Sequence, residues 1–299
     1  MPSTISSKIR QPVRPGRLII YALLLIVSGF YLLPVYLIAI TSFKQYTDID
    51  LYRMWDLPPL FWLPNCTNPA FFCFDSFYEA WFGSESVIGM GQAFTNSMAT
   101  VIPATMISAC LGSLNGYIFA KWKFKFADIV FTFFLFGMFI PYQAILIPMK
   151  ITLRELGIDT TLGGLILIHI IYSLPITALI FRGYYSAIPD EILEAARIDG
   201  ANIFTIYRDI MLPLSAPAFA IVLIWQFTSV WNDFLFAVTI VPNERQPMTV
   251  ALYNIAGSFT VEWNVQMAAA FLTALPTLLI YGLLGRYFLR GVLAGSVKG

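Results

Sequence analysis

Six stretches of this sequence, Leu18 to Phe43, Ser86 to Ala120, Ile129 to Met149, Thr160 to Phe181, Ile210 to Asn232 and Trp263 to Gly285, contain no Asp, Glu, Lys or Arg and are compatible with helix. A helix needs about 20 apolar residues to cross about 30 Å of hydrocarbon, so each stretch is long enough to span a bilayer. The surface arithmetic agrees. Only 12% of the residues are charged, roughly half of the ~25% that a water-facing domain carries. The fold class expected is therefore an all-α integral membrane protein with six transmembrane helices. A seventh charge-free stretch, Leu57 to Phe74, holds Pro58, Pro59, Pro64 and Pro69. Prolines at that density remove too many backbone donors for a helix in lipid, so it is expected to be a loop.

The basic residues orient the spans. The N-terminal tail, the second and fourth loops and the C-terminal end hold 13 of the 18 Lys and Arg, and the alternate loops hold five: Lys44, Arg53, Lys150, Arg154 and Arg245. By the excess of Lys and Arg in cytoplasmic loops, both termini are expected inside. This divides the chain into an N-terminal tail (1–17), a single six-span domain (18–289) and a C-terminal tail (290–299). The first window follows Arg10, Arg14 and Arg17 but has no small-residue cleavage site and is too long for a leader, so it reads as a true span. The first outer loop, about 50 residues long, carries Cys66 and Cys73 with six residues between them. On an oxidising side they form a disulfide or stand as two free thiols, and spacing alone does not choose.

Several chemistries lack residues. With one histidine, His169, and three cysteines, no His/Cys metal site can be assembled, and none is expected. The G-x-x-x-x-G-K-[ST] loop that cradles nucleotide phosphates is absent. A net charge of +1 gives no pull toward nucleic acid. The chain is expected to be non-catalytic, with any energy source on another subunit.

One inner loop is far longer than a connector requires. Within 182–213, Pro189 suits the first position of a helix, and Asp190, Glu191 and Glu194 place negative charge at its positive end. Ile192, Ala195, Ala196 and Ile198 are expected to supply a narrow apolar stripe, and Gly200 the left-handed turn that ends the helix. A second short helix is expected from Asn202, which can cap it, to Met211, closed off by Pro213. An interfacial helix on the inner leaflet would favour Lys and Arg; this one is acidic, which favours docking into a protein partner.

Glu194-Ala195-Ala196, Gly200, Ile210, Leu212 and Pro213 resemble, position by position, the EAA signature of the membrane subunits of bacterial ATP-binding-cassette (ABC) importers. Ile188-Pro189, Ile198-Asp199-Gly200-Ala201, Leu212-Pro213-Leu214 with Pro217, Trp231-Asn232 and the terminal Gly291 to Gly299 are similar to the carbohydrate-uptake branch, in particular to maltose-type second permeases. Asn96-Ser97, Ile140-Pro141, Ile147-Pro148 and Leu275-Pro276 extend the likeness over nearly the whole chain. The first outer loop departs from it, being longer than the family's usual stretch. The resemblance implies the type I importer permease fold in the bacterial inner membrane, a second permease subunit as heterodimer partner, two ATPase subunits that carry ATP and Mg, an extracytoplasmic solute-binding protein and a sugar, oligosaccharide or polyol-type solute. It also implies that Glu194, Ala195, Ala196, Asp199, Gly200, Ile210, Leu212 and Pro213 form the ATPase-coupling contact, and that the C-terminal tail reaches between the ATPases.

Polar residues inside spans cost free energy unless they face a partner or a wet path. Gln226, Ser229 and Asp233 recur on one face of the fifth span, with Trp225, Trp231 and Phe234 nearby. Aromatic faces beside amides and carboxylates suit a sugar ring, whereas the alternative is helix packing with the tryptophans in an interfacial belt. Asn232, Gln143 and His169 are further path candidates. Asn115 with Gly112 and Gly116 marks close helix packing. Three other readings are kept: an intramembrane enzyme on His169 and Asp233, a permease for a non-sugar solute, and an ion-coupled secondary transporter, which would usually show duplicated halves and several buried carboxylates.

Overall fold

The computed structural model describes residues 15–50, 52–58, 66–67, 73–83, 89–122, 124–256 and 262–296. Its elements are helical: α1 (Pro15–Ser42), α2 (Asp75–Phe82), α3 (Gly91–Lys121), α4 (Ala127–Phe136), α5 (Tyr142–Glu155), α6 (Leu162–Ser186), α7 (Asp190–Ile198), α8 (Ile203–Ile206), α9 (Leu212–Leu214), α10 (Ala216–Trp231), α11 (Leu235–Ile240), α12 (Met248–Ala256) and α13 (Trp263–Ser296). Of the proline-dense stretch 57–74, only 57, 58, 66, 67, 73 and 74 are described, so most of that expected loop lies outside these residues.

Four helices, α1, α3, α6 and α13, are each long and apolar enough to cross a membrane in one piece. The third and fifth windows are broken. Ala127–Phe139 meets Tyr142–Glu155 at 97°, and Ile203–Leu214 meets Ala216–Trp231 at 75°, so the chain has up to six spans only if each bent pair counts as one. The first break has a local cause: a residue before proline avoids the helical region, and Ile140, preceding Pro141, is extended (φ −74°, ψ 118°).

The second break departs from the expected stop at Pro213. The chain passes through that proline in helical conformation to Leu214, after a π-helical turn over Tyr207–Met211, and bends at Ser215. Pro213 brings no N–H to the carbonyl four residues back, and a π-turn is one way a helix absorbs that loss. The C-terminal tail also differs from a separate segment: α13 continues to Ser296.

The centre of the bundle is the pairing of α3 with α6. Gly112 and Gly116 face α6 so closely that a Cβ on Gly116 would stand 2.5 Å from the Phe181 Cβ and 2.8 Å from the Arg182 backbone nitrogen. Asn115, between them, bonds instead to its own helix at the Leu111 carbonyl, 2.8 Å away. The pair is clipped by a hydroxyl bond, Ser173 to Ser108 at 2.7 Å.

Three apolar clusters surround this axis. One joins α2, α3, α10, α12 and α13 around Trp231; one joins α3, α6, α7 and the following loop around Phe181 and Tyr185; one joins α5, α6 and α11 around Phe236. The apolar window of α1 is unburied within the chain. A helix apolar all round needs lipid or another chain against it.

Outside the spans, Lys44 is folded in: its ammonium donates to the carbonyls of Arg53 (2.9 Å) and Met54 (3.2 Å). Burial pushes its pKa below the usual lysine value, while Asp56 and Asp48 pull it back up. The loop before α2 is closed by a disulfide between Cys66 and Cys73, with Cα atoms 5.9 Å apart.

Candidate functional site

Two candidate sites emerge, one at the α7 loop and one between α6, α10 and α11. The first is the α7 loop. Its entry is fixed by Lys121, the last residue of α3, whose ammonium donates to the Ile188 carbonyl (2.5 Å) and pairs with Asp190 (2.6 Å). α7 then ends in a Schellman turn: Ala201 N–H bonds the Ala196 carbonyl at 2.9 Å and Gly200 N–H the Arg197 carbonyl at 3.0 Å. Gly200 has φ +86°, the left-handed value this turn demands. Two residues on, the Asn202 carboxamide oxygen accepts from the Thr205 N–H at 2.9 Å and caps the second helix as its residue type suggests.

The face that α7 buries is not the expected stripe. Leu193 and Ala196, one turn apart, pack inward with Ile206 and Met211, while Ile192, Ala195 and Ile198 are exposed, Ile198 by 86%. The spacing i, i+3 of Leu193 and Ala196 sets the inward face, and Leu193 is the residue missing from the stripe expected on sequence grounds. The eight signature residues therefore divide. Glu194, Ala195, Asp199, Gly200, Leu212 and Pro213 lie exposed; Ala196 is buried and Ile210 half-buried against the same core. The outer surface offers Ile198 and Phe204 beside the Gly200 turn, with a small cavity of about 250 Å³ behind, lined by Lys121, Trp122, Asp190, Leu193, Glu194 and Arg197.

The second site is a cavity of about 630 Å³ between α6, α10 and α11. It gathers five of the six path candidates, Gln226, Ser229, Asn232, Asp233 and His169, and excludes Gln143, which lies exposed on α5. Asp233 lies just past the end of α10, and its carboxylate accepts from the Phe236 and Ala237 N–H groups at 3.3 and 3.0 Å, capping α11. His169 Nε2 is 3.6 Å from Asp233 Oδ2, and both side chains are largely buried.

The aromatic complement differs from expectation. Trp225, 56% exposed, and Phe234 line the cavity. Trp231 does not: it is buried, stacked on Phe227 at 5.7 Å, and donates from Nε1 to the Thr273 carbonyl at 2.9 Å. Its place is taken by Tyr142, Tyr172 and Phe236. Tyr172 stands three residues after His169, one helical turn away, which is the signal that would have found it. The Asn96-Ser97 pair is a structural clasp. Asn96 donates to the carbonyls of Glu244 and Gln246, both at 3.3 Å, and Ser97 accepts from the Met248 N–H at 2.8 Å, seating the turn before α12.

The model of the family described as "Binding-protein-dependent transport system inner membrane component" matches residues 108–293. A probable ABC transporter permease protein of Pyrococcus horikoshii is 50% identical over 165 residues, which cover 55% of this chain and 60% of that one. A xylose/arabinose import permease protein of Haloferax volcanii is 33% identical over 300 residues, 91% of this chain and 90% of the relative. The solved structure of a bacterial ABC transporter involved in the import of the acidic polysaccharide alginate contains a chain that superposes with TM-score 0.72 at 21% identity, over 93% of this chain and 99% of that one.

Proposed function

The chain belongs to the family of binding-protein-dependent transport system inner membrane components, and on that premise we propose that it is one permease subunit of an ATP-driven importer for a sugar, oligosaccharide or polyol-type solute. It is an integral membrane protein of ABC permease type. Its role is non-catalytic: two partner ATPase subunits hold ATP and Mg, a second permease supplies the other half of the path, and an extracytoplasmic binding protein delivers the solute. In this arrangement the membrane is the bacterial or archaeal cytoplasmic membrane, with both termini and the α7 loop on the ATPase side.

The observation that carries the reading is the α7 loop. A short helix anchored by Lys121, stopped by a left-handed glycine and presenting Ile198 and Phe204 outward is built to seat in a cleft of another protein. Closure of the nucleotide sandwich would displace α7, and the packing of Leu193 and Ala196 would pass that displacement to α3 and α6. The cavity holding Gln226, Ser229, Asp233 and Trp225 is the stretch of path this chain contributes: hydroxyls meet the carbonyl and carboxylate groups, and ring C–H faces meet the aromatics. The likeness to relatives such as the xylose/arabinose import permease protein of Haloferax volcanii supports this solute class.

The test is reconstitution of the chain with its ATPases, the second permease and the binding protein in vesicles. Uptake of pentoses, hexoses or oligosaccharides that requires ATP and every subunit is the expected result. Uptake that runs on an ion gradient without ATP would overturn it.

A further inference from the structure

Four hydroxyl side chains form a continuous chain beneath the α7 loop, half-buried at Tyr207 and fully buried at Ser113, Tyr185 and Ser215. Tyr207, which opens the π-turn, donates to Ser113 of α3 at 3.0 Å. Ser113 and Tyr185 of α6 are 2.6 Å apart, Tyr185 donates to Ser215 at 3.1 Å, and Ser215 donates to the Leu212 carbonyl at 2.8 Å. Ser113, Tyr185 and Ser215 have no exposed surface.

The proton count fixes the direction. Each hydroxyl has one hydrogen. Ser215 uses its own on Leu212, so it can only accept from Tyr185; Tyr185 has then spent its hydrogen, so Ser113 must be the donor to it, and Tyr207 the donor to Ser113. The chain therefore runs one way, from Tyr207 through Ser113 and Tyr185 to Ser215, with every interior hydroxyl donating once and accepting once. Bonds aligned in this way strengthen one another, and the links among Ser113, Tyr185 and Ser215, which have no exposed surface, have no water to exchange with.

The placement is as telling as the chemistry. Ser215 stands at the 75° bend between Ile203–Leu214 and α10, a point where a push on the loop could be lost as a change of angle. The relay ties that bend, and the π-turn before it, to the two most tightly packed helices of the bundle. We infer that the Tyr207–Ser113–Tyr185–Ser215 chain is a coupling clamp, whose positioning residues make the loop, the bend and the α3–α6 pair move as one body. This deepens the importer reading and rests on it for its transport readout.

Tyr207→Phe is the clean variant, because Tyr207 is the chain's first donor: its loss strands no buried hydrogen, and the ring still packs on Tyr117, 5.3 Å away. Tyr184→Phe is the control, since Tyr184 bonds the neighbouring Leu214 carbonyl at 2.9 Å from outside the relay. In reconstituted vesicles, solute moved per ATP hydrolysed should fall at least threefold in Tyr207→Phe while ATP hydrolysis stays within twofold of the parent, and Tyr184→Phe should keep the parent ratio. A merely structural loss would lower both rates together. A second measurement needs no ATPase: amide hydrogen exchange of 203–214 in the membrane-embedded chain should quicken severalfold in Tyr207→Phe and not in Tyr184→Phe. An unchanged ratio, an equal fall in the control, or parent-like exchange at 203–214 overturns the clamp. Absent ATP dependence in the parent with quickened exchange in Tyr207→Phe would strike down the importer reading and leave the clamp standing.

Discussion

Lys121 and Asp190, the last residue of α3 and the first of α7, meet with Nζ and Oδ1 2.6 Å apart, and the same ammonium holds the Ile188 carbonyl. The lysine side chain is 6% exposed and the aspartate 56%, so the contact is half wet. Its weight lies less in Coulomb energy, which water screens at Asp190, than in the buried end that satisfies the Ile188 carbonyl.

Lys121→Met keeps the length of the apolar stem and removes the donor. The expected cost is about 1 kcal/mol, local to the start of α7. Amide exchange of residues 190–193 should quicken while that of α3 stays at parent level. Equal protection in both proteins would show that α7 is held by Leu193 and Ala196 alone.

The glycine pair of α3 makes a second prediction. A methyl on Gly116 would collide with the Phe181 Cβ at 2.5 Å and with backbone nitrogen at 2.8 Å, and backbone yields less easily than a side chain end. Gly116→Ala should lower stability by about 1–3 kcal/mol, the usual range for overpacking a filled core. Thermal unfolding in detergent checks it: Gly183→Ala, inside α6 where a Cβ meets nothing within 4 Å, is the matched control and should unfold at or slightly above the parent temperature, since Ala favours helix over Gly.

The cysteines divide two to one. With Cys66 and Cys73 bonded and Cys110 the free thiol, alkylation of the denatured protein before reduction should add one label, and after reduction three. Three labels without reductant, in protein handled under air from an oxidising compartment, would contradict the bonded form.

How much of this was legible in the sequence follows from the period of each signal. Charge-free length alone located the four continuous spans, because lipid forces every backbone group into a helix of fixed rise. The bends were less legible. Ile129 to Met149 reads as one span although Ile140-Pro141 breaks it, and the helix end expected at Pro213 fell two residues later, since a π-turn took up the missing N–H before the chain turned at Ser215. Gly200 and Asn202 were readable, each by a backbone geometry few residues can supply. The inward face of α7 was not, because Ile192 and Leu193 stand side by side in a nine-residue helix and its few turns do not say which of the two faces in. Trp231 escaped for a related reason: spacing along α10 gives a side chain's direction, and only α13 packed against it shows what that direction meets.

The last prediction concerns Gly200, where conformation can be separated from contact. Its φ of +86° is costly for any residue with a Cβ, yet within the chain such a Cβ would meet nothing within 4 Å. A β-branched substitution should therefore lose about 1–2 kcal/mol from the turn itself, and more only if a partner protein closes over it. Asparagine tolerates the left-handed region best among the other residues, so Gly200→Asn isolates the contact and Gly200→Val adds the strain. None of these changes touches a span, and the membrane fold and pairing with a second permease should survive, as co-purification would show. If the loop seats in an ATPase cleft, Gly200→Val should abolish solute-stimulated ATP hydrolysis and Gly200→Asn should weaken it by a smaller factor. Parent-like hydrolysis and uptake by an assembled Gly200→Val complex would remove this turn from the coupling path.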